Sequence, residues 1–318
     1  MKYKSLGCLA VVVGLFVVVL FAGSAYMVSY ALMPNNNPGL DYPGKYKQLF
    51  SEYPETRPWV DSLRRVGALR DTFVTMATGE RHHAFLIPAP RKTGRTAVIV
   101  HGYTDCAVSM LSLGYMYHHG MGYNLLLPDL HGHGKSEGRA AQMGWKDRWD
   151  VKRWATIADS LWRDSTDKAE IVVHGVSMGA ATIMALSGEE VPSSVKCFVE
   201  DCGYTSVWDE LGAQLKEQFG LPEFPLMYTA SMLCKLKYGW SFGEASMLRQ
   251  VEKCHKPMLF IHGDKDTYVP TRMVYPLYKA KTAPKAIYIA PGSIHAHSYL
   301  DHRKEYAVKV KEFVSQYE

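Results

Sequence analysis

Ser177 lies in a stretch of sequence that is typical of a nucleophilic serine. Residues 171–179 read IVVHGVSMG, an apolar run that leads into G-x-S-x-G, and residues 180–186 favour a helix. A serine hydroxyl is a poor nucleophile until a base takes its proton. A sharp turn between a strand and a helix exposes the hydroxyl and points backbone N–H groups towards a developing oxyanion. The stretch therefore predicts that Ser177 attacks an acyl group.

The base and the acid that such a serine requires are expected at the ends of strands. A histidine carries the proton, and a carboxylate holds the histidine in the right tautomer. In an open parallel sheet, catalytic groups collect just after the carboxyl ends of the strands. The chain order serine, acid, histidine is the order expected when the serine lies on such a turn. The polar candidates in these positions are His101 to Thr104, Asp129, Asp201, Asp266, His295 and His297.

Strand and helix patterns alternate along most of the chain. This alternation predicts an α/β fold with a mostly parallel, doubly wound sheet and helices on both faces. A hairpin of residues 69–75 and 82–87 is expected at the edge of the sheet. Further strands are expected at 96–100, 123–127, 195–199, 258–261 and 286–289, and helices at 106–118, 144–162, 271–281 and 301–317.

Residues 204–253 break this alternation. Two or three helical pieces, separated by Gly-Leu-Pro at 220–222 and by Pro225, form an insertion that is too long for an ordinary connection. We interpret the insertion as a small helical lid over the strand ends. Five apolar side chains of the lid are candidates either for a substrate pocket or for packing onto the body: Phe224, Met227, Tyr228, Trp240 and Phe242.

The N-terminus has the composition of a membrane-spanning segment. Lys2 and Lys4 flank the start of an uncharged apolar run from residue 6 to residue 22, and about 20 such residues span a ~30 Å hydrocarbon core. Basic residues favour the cytoplasmic side, which places the rest of the chain on the extracytoplasmic side. We expect residues 1–33 to be a membrane anchor, residues 34–68 a linker and N-terminal extension, and residues 69–318 the catalytic domain. The small residues at 23–25 leave open a cleaved signal and a secreted protein.

Composition and motifs argue against nucleic-acid, nucleotide and metal binding. The formal net charge of +5 is mild, and no basic stripe is interleaved with aromatic residues. The segment GHGKS at 132–136 lacks the first glycine of a phosphate-binding loop. His82 and His83 are adjacent on a predicted strand and point to opposite faces. His131 and His133 have no metal-ligand cluster around them in the sequence, so we expect a polar surface turn. We predict no cofactor, no metal and no nucleic-acid partner.

Five motifs occur in order along the chain: HGYTD at 101–105, DLHGHGKSEG at 129–138, GVSMG at 175–179, HGDKDTYVP at 262–270 and GSIHAHSY at 292–299. Through these motifs and their order, the chain from about residue 69 to residue 317 resembles the α/β-hydrolase superfamily, in particular its membrane-anchored branch near the serine aminopeptidase-like hydrolases. The chain departs from the family pattern at His131, where many relatives have arginine. The resemblance implies the α/β-hydrolase fold with the helical lid described above, at about 204–253.

The resemblance also implies the acid and the base. Asp266 occupies the second aspartate of the HGxxDxxVP pattern, which implies that it is the acid. Asp264 is the second choice within that motif, and Asp201 is a further alternative because some relatives take the acid from the preceding strand end. His295 follows a small-residue turn, where the family has its base, and His297 is the alternative.

The oxyanion hole is expected to use two backbone N–H groups, those of Tyr103 and Met178. The first lies in the loop after a strand, and the second follows the nucleophile. Because these donors belong to the backbone, the side chain of Tyr103 is not required for this role.

The function that this sequence predicts is a serine hydrolase that acts through an acyl-enzyme on an ester, which includes acyl lipids, or on a thioester or amide. A peptidase is less favoured because no charged pocket for a peptide terminus is evident in the sequence. The expected partners are a small-molecule or lipid ester and the membrane. Two alternatives remain open: a catalytically silent binding protein, and an acyltransferase that uses the same three residues.

Overall fold

The computed structural model of the chain describes residues 2–33, 41–282 and 284–318, with side chains from residue 9 onwards. Residues 34–40 of the predicted linker therefore lie outside the described residues. The N-terminal part has three helices, α1 (Lys2–Leu32), α2 (Tyr42–Glu52) and α3 (Thr56–Arg65). Asp41 caps α2 because its side chain accepts a hydrogen bond from the Gly44 N–H.

A single eight-stranded sheet forms the centre of the molecule, in the order β1-β2-β4-β3-β5-β6-β7-β8. Strands β1 and β2 form the predicted antiparallel hairpin, β2 also runs antiparallel to β4, and all other pairs are parallel. The prediction of a mostly parallel sheet is confirmed. The strands are β1 (Arg70–Thr75), β2 (Arg81–Ile87), β3 (Arg95–Val100), β4 (Asn124–Pro128), β5 (Glu170–Val176), β6 (Val195–Asp201), β7 (Met258–Gly263) and β8 (Lys285–Ala290).

Helices cover both faces of the sheet because alternate strand residues point to opposite sides. Val98 and Val100 of β3 belong to the core under one layer of helices, whereas Ala97 and Ile99 belong to the core on the other face. The remaining helices are α4 (Leu111–Tyr115), α5 (Asp147–Leu161), α6 (Met178–Ser187), α7 (Val207–Phe219), α8 (Leu226–Tyr238), α9 (Met247–Lys253), α10 (Val274–Ala280), α11 (Ser298–Asp301) and α12 (Arg303–Val314).

The helix predicted at 106–118 is shorter in the structure. It begins at residue 111 and continues into a π-helical turn at Met116–Gly120. The preceding residues form turns because side chains take their backbone N–H groups: Asp105 accepts from Cys106, and Asp129 accepts from Ala107. Asp129 is more than twenty residues from Ala107 in the sequence, so the periodicity of the sequence does not reveal that its side chain takes this N–H group from the helix.

Helix α1 has an exposed first part and a packed last part. Most apolar side chains from Leu9 to Phe21 are exposed, whereas Val28 and Leu32 are buried in the core. The carbonyl oxygen of Leu32 accepts a hydrogen bond of 2.7 Å from the Ala141 N–H. The segment Leu9–Leu32 is long and apolar enough to cross a membrane, with a mean hydropathy of 2.5. The end of this helix and the body are therefore in direct contact.

Candidate active site

The backbone at Ser177 has the strained conformation of a sharp turn between β5 and α6. Its φ of 56° and ψ of −117° are unusual for a residue with a side chain. Neighbouring chain passes so close that a Cβ at Gly175 would lie 2.2 Å from the carbonyl oxygen of Gly179. A Cβ at Gly179 would lie 2.1 Å from the carbonyl oxygen of Val100. Only glycine fits at these two positions, which explains both glycines of the G-x-S-x-G motif.

The structure brings Ser177, His295 and Asp266 into one hydrogen-bonded chain. His295 Nε2 lies 2.8 Å from Ser177 Oγ, and His295 Nδ1 lies 2.7 Å from Asp266 Oδ2. With the ring proton on Nδ1, this nitrogen donates to the carboxylate, and Nε2 is free to accept the serine proton. These are the contacts that general-base activation of a serine requires.

Asp266 is held as a buried carboxylate by several donors. Burial raises the pKa of its carboxyl, but hydrogen bonds from His262 and His295 outweigh burial and hold the pKa below its ordinary value. The Val269 N–H donates to Oδ1 at 2.9 Å. His262 Nε2 lies 3.2 Å from Oδ2. Our sequence reasoning gave His262 no role, although it is the first residue of the HGDKDTYVP motif.

The alternative acids and the alternative base lie elsewhere. The His297 side chain is exposed, and its Nδ1 lies 3.9 Å from Asp301 Oδ1. The hydrogen-bond partner of Asp264 is the Gly292 N–H, at 2.7 Å.

Asp201 is fully buried with partners of its own. Its carboxylate accepts from Tyr306 at 2.9 Å and from Ser298 at 3.3 Å, and its carbonyl oxygen accepts from the Ser177 N–H at 2.8 Å. Burial raises the pKa of the Asp201 carboxyl to about 6. Asp201 therefore supports the turn at Ser177 through its backbone, while its side chain bonds to the C-terminal helices.

Tyr103 and Met178 both lie beside Ser177. Met178 is the first residue of α6, so its N–H has no acceptor within the helix. The Tyr103 loop is fixed through His101, whose Nδ1 lies 2.7 Å from the Gly102 carbonyl oxygen and whose Nε2 accepts from the Leu130 N–H at 2.9 Å. The two N–H groups of the expected oxyanion hole therefore belong to the loop after β3 and to the first residue of α6.

An apolar cavity of about 420 Å³ lies next to Ser177, and we call it the Ser177 cavity. Its walls come from the loops around the serine, from α7 and α8, and from the end of α1. The lining residues are Met27, Val28, Tyr30, Ala31, Met33, Tyr103, Thr104, Met143, Ser177, Met178, Tyr204, Glu210, Leu211, Gln214, Leu215, Gln218, Phe219, Leu226, Met227, Ala230, Phe242, Tyr268 and Val269.

The five apolar lid residues singled out in the sequence divide between several environments. Met227 and Phe242 line the Ser177 cavity. Trp240 is buried in the core, and Phe224 and Tyr228 are exposed. The sequence alone could not separate these environments because the lid helices lie against both the body and α1.

Glu210 is the one acidic residue among the side chains that line the cavity. Its Oε1 accepts from Gln214 at 3.0 Å, whereas Oε2 has no hydrogen-bond partner among the residues that the structure describes. Burial raises the pKa of this carboxyl to about 8, so the group is mostly neutral at pH 7. No sequence motif pointed to Glu210.

The expectation that His131 and His133 are surface residues is wrong, because both are buried. The buried carboxylate of Asp129 draws their loop inwards by accepting the Lys135 N–H at 2.9 Å. The ring of His133 then packs 5.2 Å from that of His101, measured between centroids.

Two groups of potential metal ligands occur within the described ranges of the chain, each with ligand atoms within 4.8 Å of one another. Cys202, Asp266 and His295 form one group, which overlaps the residues around Ser177. Glu80, His82 and His131 form the other. Sequence inspection missed the second group because its members come from a hairpin and from a distant loop.

Comparison with known proteins gives a consistent result. The model of the family described as alpha/beta hydrolase fold matches residues 98–223. The Bacillus subtilis protein YqkD, itself uncharacterized, is 32% identical over 226 residues, which cover 71% of this chain and 73% of the relative. The Mycobacterium tuberculosis protein Rv2307c, also uncharacterized, is 24% identical over 244 residues, covering 76% and 78%.

Solved structures have the same fold. The Pyrococcus furiosus esterase Pf2001 superposes with a TM-score of 0.63 at 22% identity, over 78% of this chain and 91% of the esterase. A puromycin-hydrolyzing peptidase of Mycobacterium tuberculosis gives a TM-score of 0.59 at 20% identity, over 78% of this chain and 39% of the peptidase. At such identities these structures establish the fold alone.

Proposed function

Because this chain belongs to the α/β-hydrolase fold family, we propose that it is a serine hydrolase that cleaves carboxylic esters through an acyl-enzyme. The observation that carries the proposal is the chain of two short hydrogen bonds from Asp266 through His295 to Ser177, at 2.7 and 2.8 Å. A strained serine at the end of β5 supports it, because such strain is commonly retained at functional sites.

The proposed reaction has two halves. In the first, Ser177 Oγ attacks the ester carbonyl carbon and its proton moves to His295 Nε2. The negative oxygen that forms is stabilised by the N–H groups of Tyr103 and Met178, and each such donor typically contributes about 2.7 to 4 kcal/mol. The C–O bond then breaks, and the leaving alcohol takes the proton from His295.

In the second half, water replaces the alcohol. The water oxygen attacks the acyl carbon while His295 accepts a proton from the water. The bond between the acyl carbon and Ser177 Oγ then breaks. The serine regains its proton from His295, and the carboxylic acid leaves. Asp266 stabilises the protonated imidazole in both halves without itself accepting the proton.

An ester with an apolar acyl group is the substrate that the cavity favours. The side chains around Ser177 are mainly those of Met, Leu, Val, Ala and aromatic residues, and apolar surface buried in such a pocket contributes favourably to binding. Glu210 is mostly neutral at pH 7, because burial raises its pKa to about 8. It is therefore a poor anchor for a charged peptide terminus, which favours an esterase over a peptidase.

We further propose that α1 anchors the protein in a membrane, with the catalytic domain on the extracytoplasmic side. The basic residues Lys2 and Lys4 precede the apolar segment and favour this orientation. Gly23 and Ser24, the small residues that resemble a cleavage site, pack against Leu226 of α8. Close helix packing is an alternative reason for small residues at these positions.

A fluorophosphonate probe tests the proposed function. We expect the full-length protein in detergent to be labelled and to hydrolyse a short p-nitrophenyl ester, and we expect Ser177→Ala to abolish both. Ser160→Ala, at an exposed serine of α5, is the matched control and should behave as the parent protein. Unchanged ester hydrolysis in Ser177→Ala would contradict the proposal.

A further inference from the structure

The last two turns of α1 are built into the catalytic body. Ser24 Oγ donates to the Leu226 carbonyl oxygen at 3.4 Å, and Tyr30 Oη donates to Gln218 Oε1 at 3.2 Å. Val28 and Leu32 are only 4% and 0% exposed. These contacts attach one end of an otherwise exposed apolar helix to two helices of the lid, α7 and α8.

The same turns form one wall of the Ser177 cavity. Met27, Val28 and Ala31 line it from α1, and Leu211 and Leu215 line it from α7. The cavity volume of about 420 Å³ lies within the range of about 300–1,000 Å³ that is typical of small-ligand sites. Without α1, this side of the cavity would be open to solvent.

Polarity differs between the walls. Glu210, Gln214 and Gln218 line the cavity from α7, whereas Met27, Val28 and Ala31 line it from α1 and have no hydrogen-bonding group in their side chains. Tyr30 of α1 also lines the cavity, and its hydroxyl donates to Gln218 Oε1. A ligand segment that lies against Met27, Val28 and Ala31 meets apolar side chains, which favours a hydrocarbon segment there. Each methylene buried there contributes about 0.8 kcal/mol, which corresponds to roughly a fourfold gain in kcat/KM.

A second apolar surface lies on α8, the helix that packs against α1. Phe224, Tyr228, Met232 and Leu236 follow one another at intervals of four residues, which places Tyr228, Met232 and Leu236 on one face of α8. The side chains of Phe224, Tyr228, Met232 and Leu236 are 72%, 58%, 45% and 76% exposed, respectively. Because α8 packs against the end of an apolar helix long enough to span a bilayer, a lipid surface is the occupant that fits this stripe.

We propose that the last two turns of α1 are part of the substrate site, and that the substrate is a long-chain acyl ester taken from the membrane that holds α1. The acyl chain lies between α1 and the lid, and its carbonyl carbon lies at Ser177. This inference rests on the proposed function and adds to it a substrate class and a role for α1 beyond anchoring.

Thiol protection tests the position of the acyl chain in the full-length protein in phosphatidylcholine vesicles. Ala31→Cys is made in a Cys8→Ser background, in which the other five cysteines are buried. Ser177 is then phosphonylated with an ethyl or a dodecyl fluorophosphonate. In this step the Ser177 O–P bond forms, the P–F bond breaks and fluoride leaves with the serine proton. We expect the dodecyl group to slow maleimide modification of the introduced thiol at least tenfold relative to the ethyl group.

Tyr26→Cys is the matched control, because Tyr26 is on the same helix, is 63% exposed and is not among the lining residues. Its thiol should react equally fast with either phosphonate bound. Equal rates at position 31 with both phosphonates would overturn the inference while leaving the proposed function intact. Failure of both phosphonates to label the parent protein would contradict the proposed function itself, and the inference with it. Labelling by the ethyl phosphonate but not by the dodecyl phosphonate would overturn the inference alone.

Chain-length preference is a second measurement that does not depend on the cysteine variants. Ala31→Trp fills the α1 side of the cavity, and we expect it to lower kcat/KM for a dodecanoyl ester at least tenfold more than kcat/KM for an acetyl ester. Tyr26→Trp should change neither value. An equal loss for both esters, or no loss for either, would contradict a role of α1 in holding the acyl chain.

Discussion

The imidazole of His295 is held from both ring nitrogens, and this restricts it to one orientation. Nε2 lies 2.8 Å from Ser177 Oγ, and Nδ1 lies 2.7 Å from Asp266 Oδ2. The ring of Tyr268 packs beside it with centroids 4.9 Å apart. His297, only two residues away, is directed to solvent because Ala296 has a positive φ of 59° and the backbone changes direction there.

Asp266→Asn is a prediction at this scale. The amide NH₂ would donate to His295 Nδ1 and force the ring proton onto Nε2, which then cannot accept the serine proton. We expect kcat for a short ester to fall on the order of 10⁴-fold with little change in folding. Asp264→Asn is the control, because its side-chain oxygen can still accept from the Gly292 N–H. A loss smaller than tenfold in Asp266→Asn would argue against Asp266 as the acid.

Among the elements, α1 combines two environments in one helix. The exposed apolar part from Leu9 to Phe21 has the character of a lipid-facing segment. The part from Ser24 to Leu32 packs against α8 and the loop at Ala141. The predicted anchor of residues 1–33 therefore ends in an element that also contributes to the catalytic body, and the division into domains stays a prediction.

Leu32→Ala tests whether the end of α1 stabilises the folded body. Leu32 is 0% exposed, and truncation of a buried leucine typically costs about 2–5 kcal/mol. We expect a clear fall in the thermal unfolding midpoint of the full-length protein in detergent micelles. Leu15→Ala is the matched control, because Leu15 is 64% exposed on the same helix. Equal midpoints for the two variants would show that the contact does not stabilise the body.

The molecule as a whole buries several carboxyl groups that remain protonated near neutral pH. Burial raises the pKa of Asp147 to about 7, and those of Asp150, Glu200 and Glu210 to about 8. These groups bind protons in the folded state that they release after unfolding. Three buried histidines, His82, His133 and His174, have lowered pKa values of about 4, 3 and 3.

Stability should therefore fall as the pH rises from 7 to 9. The raised carboxyl pKa values favour the folded state at low pH, and this contribution is lost as the pH passes through about 8. The lowered pKa values of the three histidines change the free energy of unfolding only below about pH 6.5, so they do not oppose this trend. We expect each carboxyl that remains protonated in the folded state to lower the free energy of unfolding by about 1.4 kcal/mol per pH unit.

Unfolding midpoints measured at several pH values check this prediction. The matched variant Glu210→Gln removes one of the titrating groups, so its midpoint should depend less steeply on pH between 7 and 9. An unfolding midpoint that rises over this range in the parent protein would contradict the assignment of these carboxyls as protonated.

The local features of the site were predictable from the sequence because they depend on short-range rules. Residues 171–186 indicated a strand, a turn and a helix around Ser177, and β5, the turn and α6 have these places in the structure. The alternation of patterns predicted the mostly parallel sheet, and the motif order indicated the fold family. Asp266 and His295 were inferred from the positions of motifs rather than from any physical contact visible in the sequence.

The sequence by itself determined the nucleophile candidate, the sheet and the long apolar helix, because each is recorded in residues adjacent along the chain. Only the tertiary structure decided which late histidine reaches Ser177, that His131 and His133 are buried, and that α1 lines the cavity. Those outcomes depend on contacts such as Ser24 with Leu226, about two hundred residues apart. The local periodicity of the sequence does not predict such a contact, because the contact forms, and stabilises the protein, only when both segments are folded together.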